Sequence, residues 1–466
     1  MLPTLPAELL LSIASYFDSH TDTLRLASCC RAFYPLLLPK VFTSLDLIKH
    51  RNGHLSHLVH TLSSRPELAQ EVRTFRVSYG WRPTSGVRYE RQVILPVLKS
   101  ALGPADDLSA WDWELQNREK NDAWNVLLLG LLPNLENLVL QIYEFSNHTL
   151  EWMAQIADEE GSALSKLRNL TVLCSEVDGG LSSSHFLPIL RLPSLRRFYG
   201  HVICDGGTSD DDYAEDEAFN AASYVPKNLR YSNITHIHLK SSCSRRGFAD
   251  LIGAPKSLES FILEHSDNPN SADQEGMYVS RYCPPLNRHQ KTLRKLTLTD
   301  ECTNYYTAHQ SHDYGYVGSF AGFSALKELR LQLSHLLDCD RGWSDRNKTS
   351  GREFSDVLPL SLERLILDGL ETQHTTGLVE AFKDLFLGQK YGCPNLAYLE
   401  VKGNWMHTHQ STEESNAKPR PLPAMLEQFA DFKAELEPLC SAVGVSFHLR
   451  DLHIEYIIEQ NRSYIL

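Results

Sequence analysis

One short phrase of hydrophobic and polar positions recurs along this chain: an apolar residue, two free positions, an apolar residue, one free position, an apolar residue. Clear copies are Leu135-x-x-Leu138-x-Leu140, Leu258-x-x-Phe261-x-Leu263, Leu293-x-x-Leu296-x-Leu298, Leu326-x-x-Leu329-x-Leu331, Leu362-x-x-Leu365-x-Leu367 and Leu396-x-x-Leu399-x-Val401. Weaker copies begin at Phe42, Val72, Leu167, Leu195, Ile234 and Leu449. A phrase returning at this kind of spacing predicts stacked repeats, a solenoid. The last two apolar residues of each copy stand two apart, so both point into the core from one strand. The first positions at 135, 167, 195, 234, 258, 293, 326, 362 and 396 are separated by 24 to 39 residues. Units of that length have room for a helix on the return limb. The candidates are 123–132, 149–158, 248–253, 378–387 and 422–439.

Residues between and beside the inward pairs face the other way. They include Arg197, Tyr199 and His201, then His236, His238 and Lys240, then Arg330, Arg364 and Tyr398, and finally Asp451, His453 and Glu455. This face is polar and dotted with aromatics and arginine, the residue types that anchor interfaces. The middle strands, which carry Arg197 and Lys240, are locally basic on an acidic chain, which points to an acidic or phosphorylated protein segment as their ligand. A merely solvated sheet face is the plainer alternative. In most copies no asparagine ladder follows the strand, which argues against a regular, tightly curved arc but not against the solenoid.

The first fifty residues break the pattern. A helix is expected from Pro6, in its first turn, to about Phe17, with Leu5, Leu9, Ile13 and Phe17 as one apolar stripe. Leu10, Leu11, Ala14 and Tyr16 widen it beyond what a surface helix needs. A second helix is expected after Asp22 as its N-cap, and a short third from Phe33, ending near Pro39. So small a module cannot bury all this apolar surface by itself. Some of it must meet the repeats or another protein.

Composition narrows the functional classes. Of 466 residues 42% are hydrophobic, enough for a large core, and the formal net charge is -13. An acidic chain is a poor phosphate-backbone binder, so nucleic acid is not expected as a partner. The longest apolar run, 126–132, is too short to span a bilayer. Glu8 interrupts the N-terminal apolar stretch and no basic residue precedes it. No secretory signal is expected, and the location is read as cytoplasmic and/or nuclear with no membrane partner. The ten cysteines lack any CxxC pair and read as reduced thiols, mostly core filler. Five Asn-x-Ser/Thr sequons occur; those at Asn169 and Asn233 lie in repeats, where a glycan would block stacking.

Reactive constellations are thin. His236-x-His238 offers two imidazoles on one strand face, but spacing signals no third metal ligand. His54, His57 and His60 suit a solvated or capping helix face. Gly315-x-x-Gly318-x-x-x-Gly322 lacks the lysine and the preceding strand of a phosphate loop. No Gly-x-Ser-x-Gly elbow exists. No enzyme, metal or cofactor is expected. Insertions are expected near 204–223, 302–322, 338–354 and 407–423, the first acidic and the second rich in Tyr, His and Gly as a long surface excursion.

The N-terminal segment resembles an F-box. The resemblance rests on Leu5-Pro6-Ala7-Glu8-Leu9-Leu10-Leu11-Ser12-Ile13, then Asp22-Thr23-Leu24-Arg25-Leu26, then Cys30-Arg31-Ala32-Phe33, with Pro39, Val41 and Phe42 at its end. It covers about a tenth of the chain, and Ser28-Cys29 stands where that family more often has larger aliphatics. An F-box at 1–47 ahead of an irregular leucine-rich-repeat-like solenoid at 48–466 is similar to fungal F-box proteins. The implied fold is α/β, a three-helix module followed by a strand/helix horseshoe. The implied role is a substrate-recognition subunit of a Skp–cullin–F-box ubiquitin ligase. By position, Leu5, Pro6, Leu9, Leu10 and Ile13 dock on the Skp adaptor, and through it on a cullin scaffold. Leu26, Cys30 and Phe33 pack the module or touch the adaptor. The repeats hold a protein target. Three alternatives remain: an ordinary helical cap of the repeats, a leucine-rich scaffold acting outside the ligase, and an unrecognised enzyme or metal protein.

Overall fold

In a computed structural model the apolar phrase becomes a series of parallel strands. The structure describes residues 5–17, 20–48, 55–78, 89–102, 108–116, 122–142, 148–157, 163–174, 180–205, 229–266, 277–300, 316–337, 353–370, 374–387, 392–403 and 423–451. The chain divides into two compact units, Met1–His201 with Tyr231–Ile234, and Val202–Arg230 with Thr235–Leu466.

The first unit begins with three helices, α1 (Ala7–Ser15), α2 (His20–Ser28) and α3 (Phe33–Phe42). Parallel strands follow in chain order: β1 (Ser44–Asp46), β2 (Thr74–Ser78), β3 (Asn137–Ile142) and β4 (Asn169–Cys174). The two-residue β5 (Leu181–Ser182) precedes β6 (Arg197–His201), which pairs with β4. The apolar positions stack in register: Phe75 opposite Leu138, Leu138 opposite Leu170, Leu170 opposite Phe198, all buried. The return limbs carry α4 (Leu55–Ser64), α5 (Pro66–Ala69), α6 (Arg91–Leu102), α7 (Leu108–Gln116), α8 (Asp122–Gly130) and α9 (His148–Ile156). Two of these match the helices expected at 123–132 and 149–158. Gly130 lets α8 approach α6, because a Cβ there would sit 2.9 Å from the Ala101 Cβ.

The second unit repeats the scheme. Strand β7 (Ile203–Asp205) lies parallel to β8 (His236–Ser244). Then β9 (Ser260–His265), β10 (Lys295–Asp300), β11 (Glu328–Gln332), β12 (Arg364–Leu370), β13 (Tyr398–Gly403) and β14 (Ser446–Asp451) add in order, all parallel. The helices are α10 (Ala249–Gly253), α11 (Cys283–Leu286), α12 (Leu333–Leu337), α13 (Phe354–Val357), α14 (Thr375–Leu387) and α15 (Pro423–Ala442). Helices α10, α14 and α15 fall on the three remaining predicted spans.

Two polar devices recur between successive repeats within a unit. The carbonyl after the first apolar residue of a phrase accepts both amides that open the following strand. Glu136 O takes Arg168 N at 2.8 Å and Asn169 N at 3.0 Å; Lys327 O takes Glu363 N at 2.9 Å and Arg364 N at 2.8 Å. In several repeats the residue just before the phrase also reaches back to a carbonyl in the previous turn. Asn134 donates to Gln70 O at 2.7 Å, Thr292 to Leu258 O at 2.8 Å, Ser361 to Leu326 O at 2.8 Å and Asn395 to Leu360 O at 3.0 Å. The ladder missing after the strands is thus present ahead of them, where it satisfies turn carbonyls that stacking would otherwise bury unpaired.

Several expectations need correcting. The last phrase does not start at Leu449. Register puts Leu399 opposite Phe447 and Val401 opposite Leu449, so Ser446, His448 and Arg450 alternate outward; His453 and Glu455 lie outside the described residues. Helix α2 starts at His20, so Asp22 sits in its first turn and pairs with Arg25 at 3.0 Å rather than capping. Helix α3 runs through Pro39 to Phe42, held by the burial of Leu37 and Leu38. Pro6 precedes α1, and its carbonyl accepts from Leu9 N and Leu10 N at 3.1 and 3.2 Å. Most of the expected insertions, and His54, lie outside the described residues. Within 316–322, expected as part of a surface excursion, Val317 and Phe320 are buried. Gly318 lies against the Cys283 thiol in left-handed backbone, which accounts for that glycine without a phosphate.

Candidate protein-interaction site

Helices α1–α3 enclose a small core of Leu10, Ala14, Ala27, Phe33 and Leu37, with Leu5, Leu26, Cys30 and Leu36 packed against it. Positions four apart share a helix face, so Leu10 and Ala14 turn inward together and Leu9 and Ile13 outward together; α1 ends at Ser15 rather than near Phe17, which is exposed past its end. Leu9 is 51% exposed and Ile13 and Phe17 37% each. Pro6 is exposed beside them. Leu10 corrects its assignment as a docking residue: only 4% of it is exposed, and it presents nothing outward in this structure. Leu24 of α2 and Tyr34 of α3 are exposed too. The sequence reading did not select them, although both follow residues of a core-facing series by one position.

The outward face of the strands is less free than its composition suggests. In the first unit Arg197 is exposed, Tyr199 and His201 are half-buried, and the His201 ring meets Cys174 O at 3.1 Å. At the strand starts Asn169 donates to Asn137 Oδ1 at 2.6 Å, and Asn137 to Thr74 Oγ1 at 3.2 Å. In the second unit His236 meets Thr235 Oγ1 at 2.7 Å. Glu264 answers two of the basic groups, with His238 Nε2 at 3.2 Å and Lys240 Nζ at 3.8 Å.

The densest pairing lies on β11–β14. Arg330 Nε is 2.8 Å from Asp368 Oδ2. The Arg364 guanidinium lies 4.0 Å above the Tyr398 ring, and the Tyr398 hydroxyl donates to Glu400. The same carboxylate faces Arg364 at 3.8 Å, Lys402 at 3.5 Å and Arg450 at 3.4 Å. Glu400 and Lys402 are both buried. Burial first, and then the bond to Glu400, hold the Tyr398 phenol above its ordinary range. The face therefore carries many paired charges with half-buried aromatics among them, and a ligand must offer groups that compete with these pairs.

His236 and His238 do not converge with a third ligand: among the described residues no group of three or more His, Cys, Asp or Glu side chains is placed to hold a metal ion. His57 and His60 lie on α4, exposed and half-buried. Burial raises the thiols of Cys283, Cys393 and Cys440, the last two to about 12, as expected of core filler rather than nucleophiles. No helix among the described residues is long and apolar enough to cross a membrane.

A family model described as a leucine-rich repeat domain matches residues 46–420. No curated protein matches the chain. Repeats of this kind support a protein-interaction scaffold.

Proposed function

The chain belongs to the leucine-rich repeat domain family, and from that premise we propose that it is the substrate-recognition subunit of a Skp–cullin–F-box ubiquitin ligase. The apolar stripe of α1 carries this reading. A module with its own small core nevertheless leaves Leu9, Ile13 and Phe17 exposed, and Leu24 and Tyr34 as well. A helical cap of the repeats hides apolar surface; this one displays it, as docking surfaces do. In this reading α1–α3 are the F-box, the Skp adaptor covers the stripe, and a cullin scaffold joins through the adaptor. The repeats hold a protein target; its acidic or phosphorylated groups meet exposed Arg197 in the first unit or, in the second, half-buried Lys240 beside Glu264. The chain itself does no chemistry and needs no cofactor, nucleic acid or membrane. Its contribution is to raise the local concentration of target lysines near the charged ubiquitin carrier, in the cytoplasm or nucleus.

The test is co-purification of the full chain with the Skp adaptor, for the wild type and for a Leu9→Asp/Ile13→Asp double variant. The wild type is expected to retain the adaptor and the variant to lose it with its melting temperature unchanged. An adaptor that never binds, or binds both equally, overturns the ligase reading and leaves a leucine-rich scaffold acting elsewhere.

A further inference from the structure

We propose that Cys204 and Cys243 form a thiol modification site, at which a peroxide converts the pair to one intramolecular disulfide. This is independent of the adaptor reading. The two cysteines face each other in register across parallel strands β7 and β8. The Cys243 thiol donates to the Cys204 sulfur over 3.0 Å. Directly opposed residues on neighbouring strands are about 5 Å apart at Cα, inside the roughly 4.4–6.8 Å that a disulfide spans. The sulfurs therefore need no backbone movement to join. Both residues are half-buried, so a small oxidant in water reaches them.

The backbone around the pair is clamped. On one side Val202 N donates to Lys240 O at 2.9 Å and Ile203 N to Ser242 Oγ at 3.0 Å. On the other, Ser244 Oγ donates to Asp205 Oδ2 at 3.0 Å and Arg245 N to Asp205 O at 3.0 Å. Val202 and Ser241 adopt left-handed backbone with φ of 58° and 46°, each two residues ahead of its cysteine. Residues other than glycine hold that conformation only where surrounding structure enforces it. On the other edge of β8 the ladder to β9 shifts register between Lys240 and Ser242, just ahead of Cys243. Cys283, Cys393 and Cys440 are buried; Cys29, Cys30 and Cys174 are accessible too, but among the described residues the sulfur contact is between Cys204 and Cys243.

The chemistry balances with peroxide as the oxidant. One cysteine, as thiolate, attacks a peroxide oxygen; the O–O bond breaks, water leaves, and a sulfenic acid remains. The second sulfur attacks the sulfenic sulfur; the S–S bond forms, the S–O bond breaks, and a second water leaves with the remaining proton. Two thiols lose two electrons, and the peroxide gains them. The product locks β7 onto β8, the strand that carries His236, His238 and Lys240.

The full chain, reduced and then treated with hydrogen peroxide, is alkylated with N-ethylmaleimide, digested and examined by mass spectrometry. The expected result is a linked Cys204–Cys243 peptide that dithiothreitol releases. Oxidation should also raise the melting temperature, a shift absent from Cys204→Ser and Cys243→Ser chains that melt like wild type when reduced. Alkylation of both cysteines after oxidation overturns the proposal. So does pairing of either with a different cysteine, or conversion to sulfinic acid without a link. The wild-type mapping stands without the variants, should a serine disturb folding.

Discussion

Leu9 and Leu10 are neighbours in the chain and opposites in burial: Leu9 is 51% exposed on α1, Leu10 only 4% inside the three-helix core. A 100° step between consecutive helical residues is enough to separate the two roles. Leu10→Ala removes side chain from a core and should cost about 2–5 kcal/mol in the module. Leu9→Ala removes surface and should cost under about 0.5 kcal/mol. Denaturation of each variant, followed by a probe on α1–α3, checks this. Equal losses would mean that the outer stripe is sealed in solution and unavailable to any partner.

Much of the fold was legible because the phrase is written in apolar residues that stacking must bury. Leu138, Leu296, Leu329, Leu365 and Leu399 all point inward where the phrase placed them, and five return helices lie on their predicted spans. Failures came where polar or tertiary terms decide. The Leu449 copy failed because Phe447 and Leu449 also stand two apart, and register with β13 selected that pair. The inter-repeat ladder was visible in Pro133-Asn134-Leu135 and Pro394-Asn395-Leu396, but it lies before the strand, where it was not sought. The α1 surface was legible only as an excess. Which of Leu9 and Leu10 faces out depends on how α2 and α3 pack. The pairing around Glu400 was not legible, since β14 supplies Arg450 from a strand placed five residues too late.

Glu400 and Lys402 form a buried pair, their side chains 3% and 7% exposed and 3.5 Å apart. Removing one partner leaves a charge with its desolvation uncompensated. Glu400→Ala is therefore expected to cost about 3–5 kcal/mol. Arg450→Ala, whose side chain is half exposed, is expected to cost under about 1 kcal/mol. Combining Glu400→Ala with Lys402→Met should recover part of the loss. Chemical denaturation of the three variants measures these differences; additive losses would mean that the pair is solvated.

Acid should weaken the second unit through two histidines. Burial pushes the His335 imidazole down to about 3, with His265 nearby adding to the effect. Burial also lowers His289, against the opposing bond from its Nε2 to Ile252 O at 2.8 Å. Leu258 N donates to the other ring nitrogen at 3.3 Å, so the ring is held neutral. Both folded values lie below the unfolded value of about 6.5. The unfolded chain then binds more protons between the two, and stability falls as pH drops. The contribution is whole above about pH 6.5 and declines toward pH 3. Melting temperatures from pH 7.5 to 4 should show a shallower acid slope for His335→Gln than for wild type. Parallel slopes would remove His335 from the cause.

Leu329 stacks between Leu296 on β10 and Leu365 on β12, and all three are fully buried. Each repeat in such an array rests on its two neighbours, so stability is close to a sum of unit and interface terms. Leu329→Ala should cost about 2–5 kcal/mol. Leu329→Asp adds a charge with no partner in that stack and should open β10, β11 and β12 together. Hydrogen exchange resolved along the chain reads the outcome directly. Amides of those three strands should lose protection in Leu329→Asp while β8 and β9 keep most of theirs. Uniform loss from β8 to β14 would show the second unit behaving as one cooperative globule, and the nearest-neighbour account of its stability would fail.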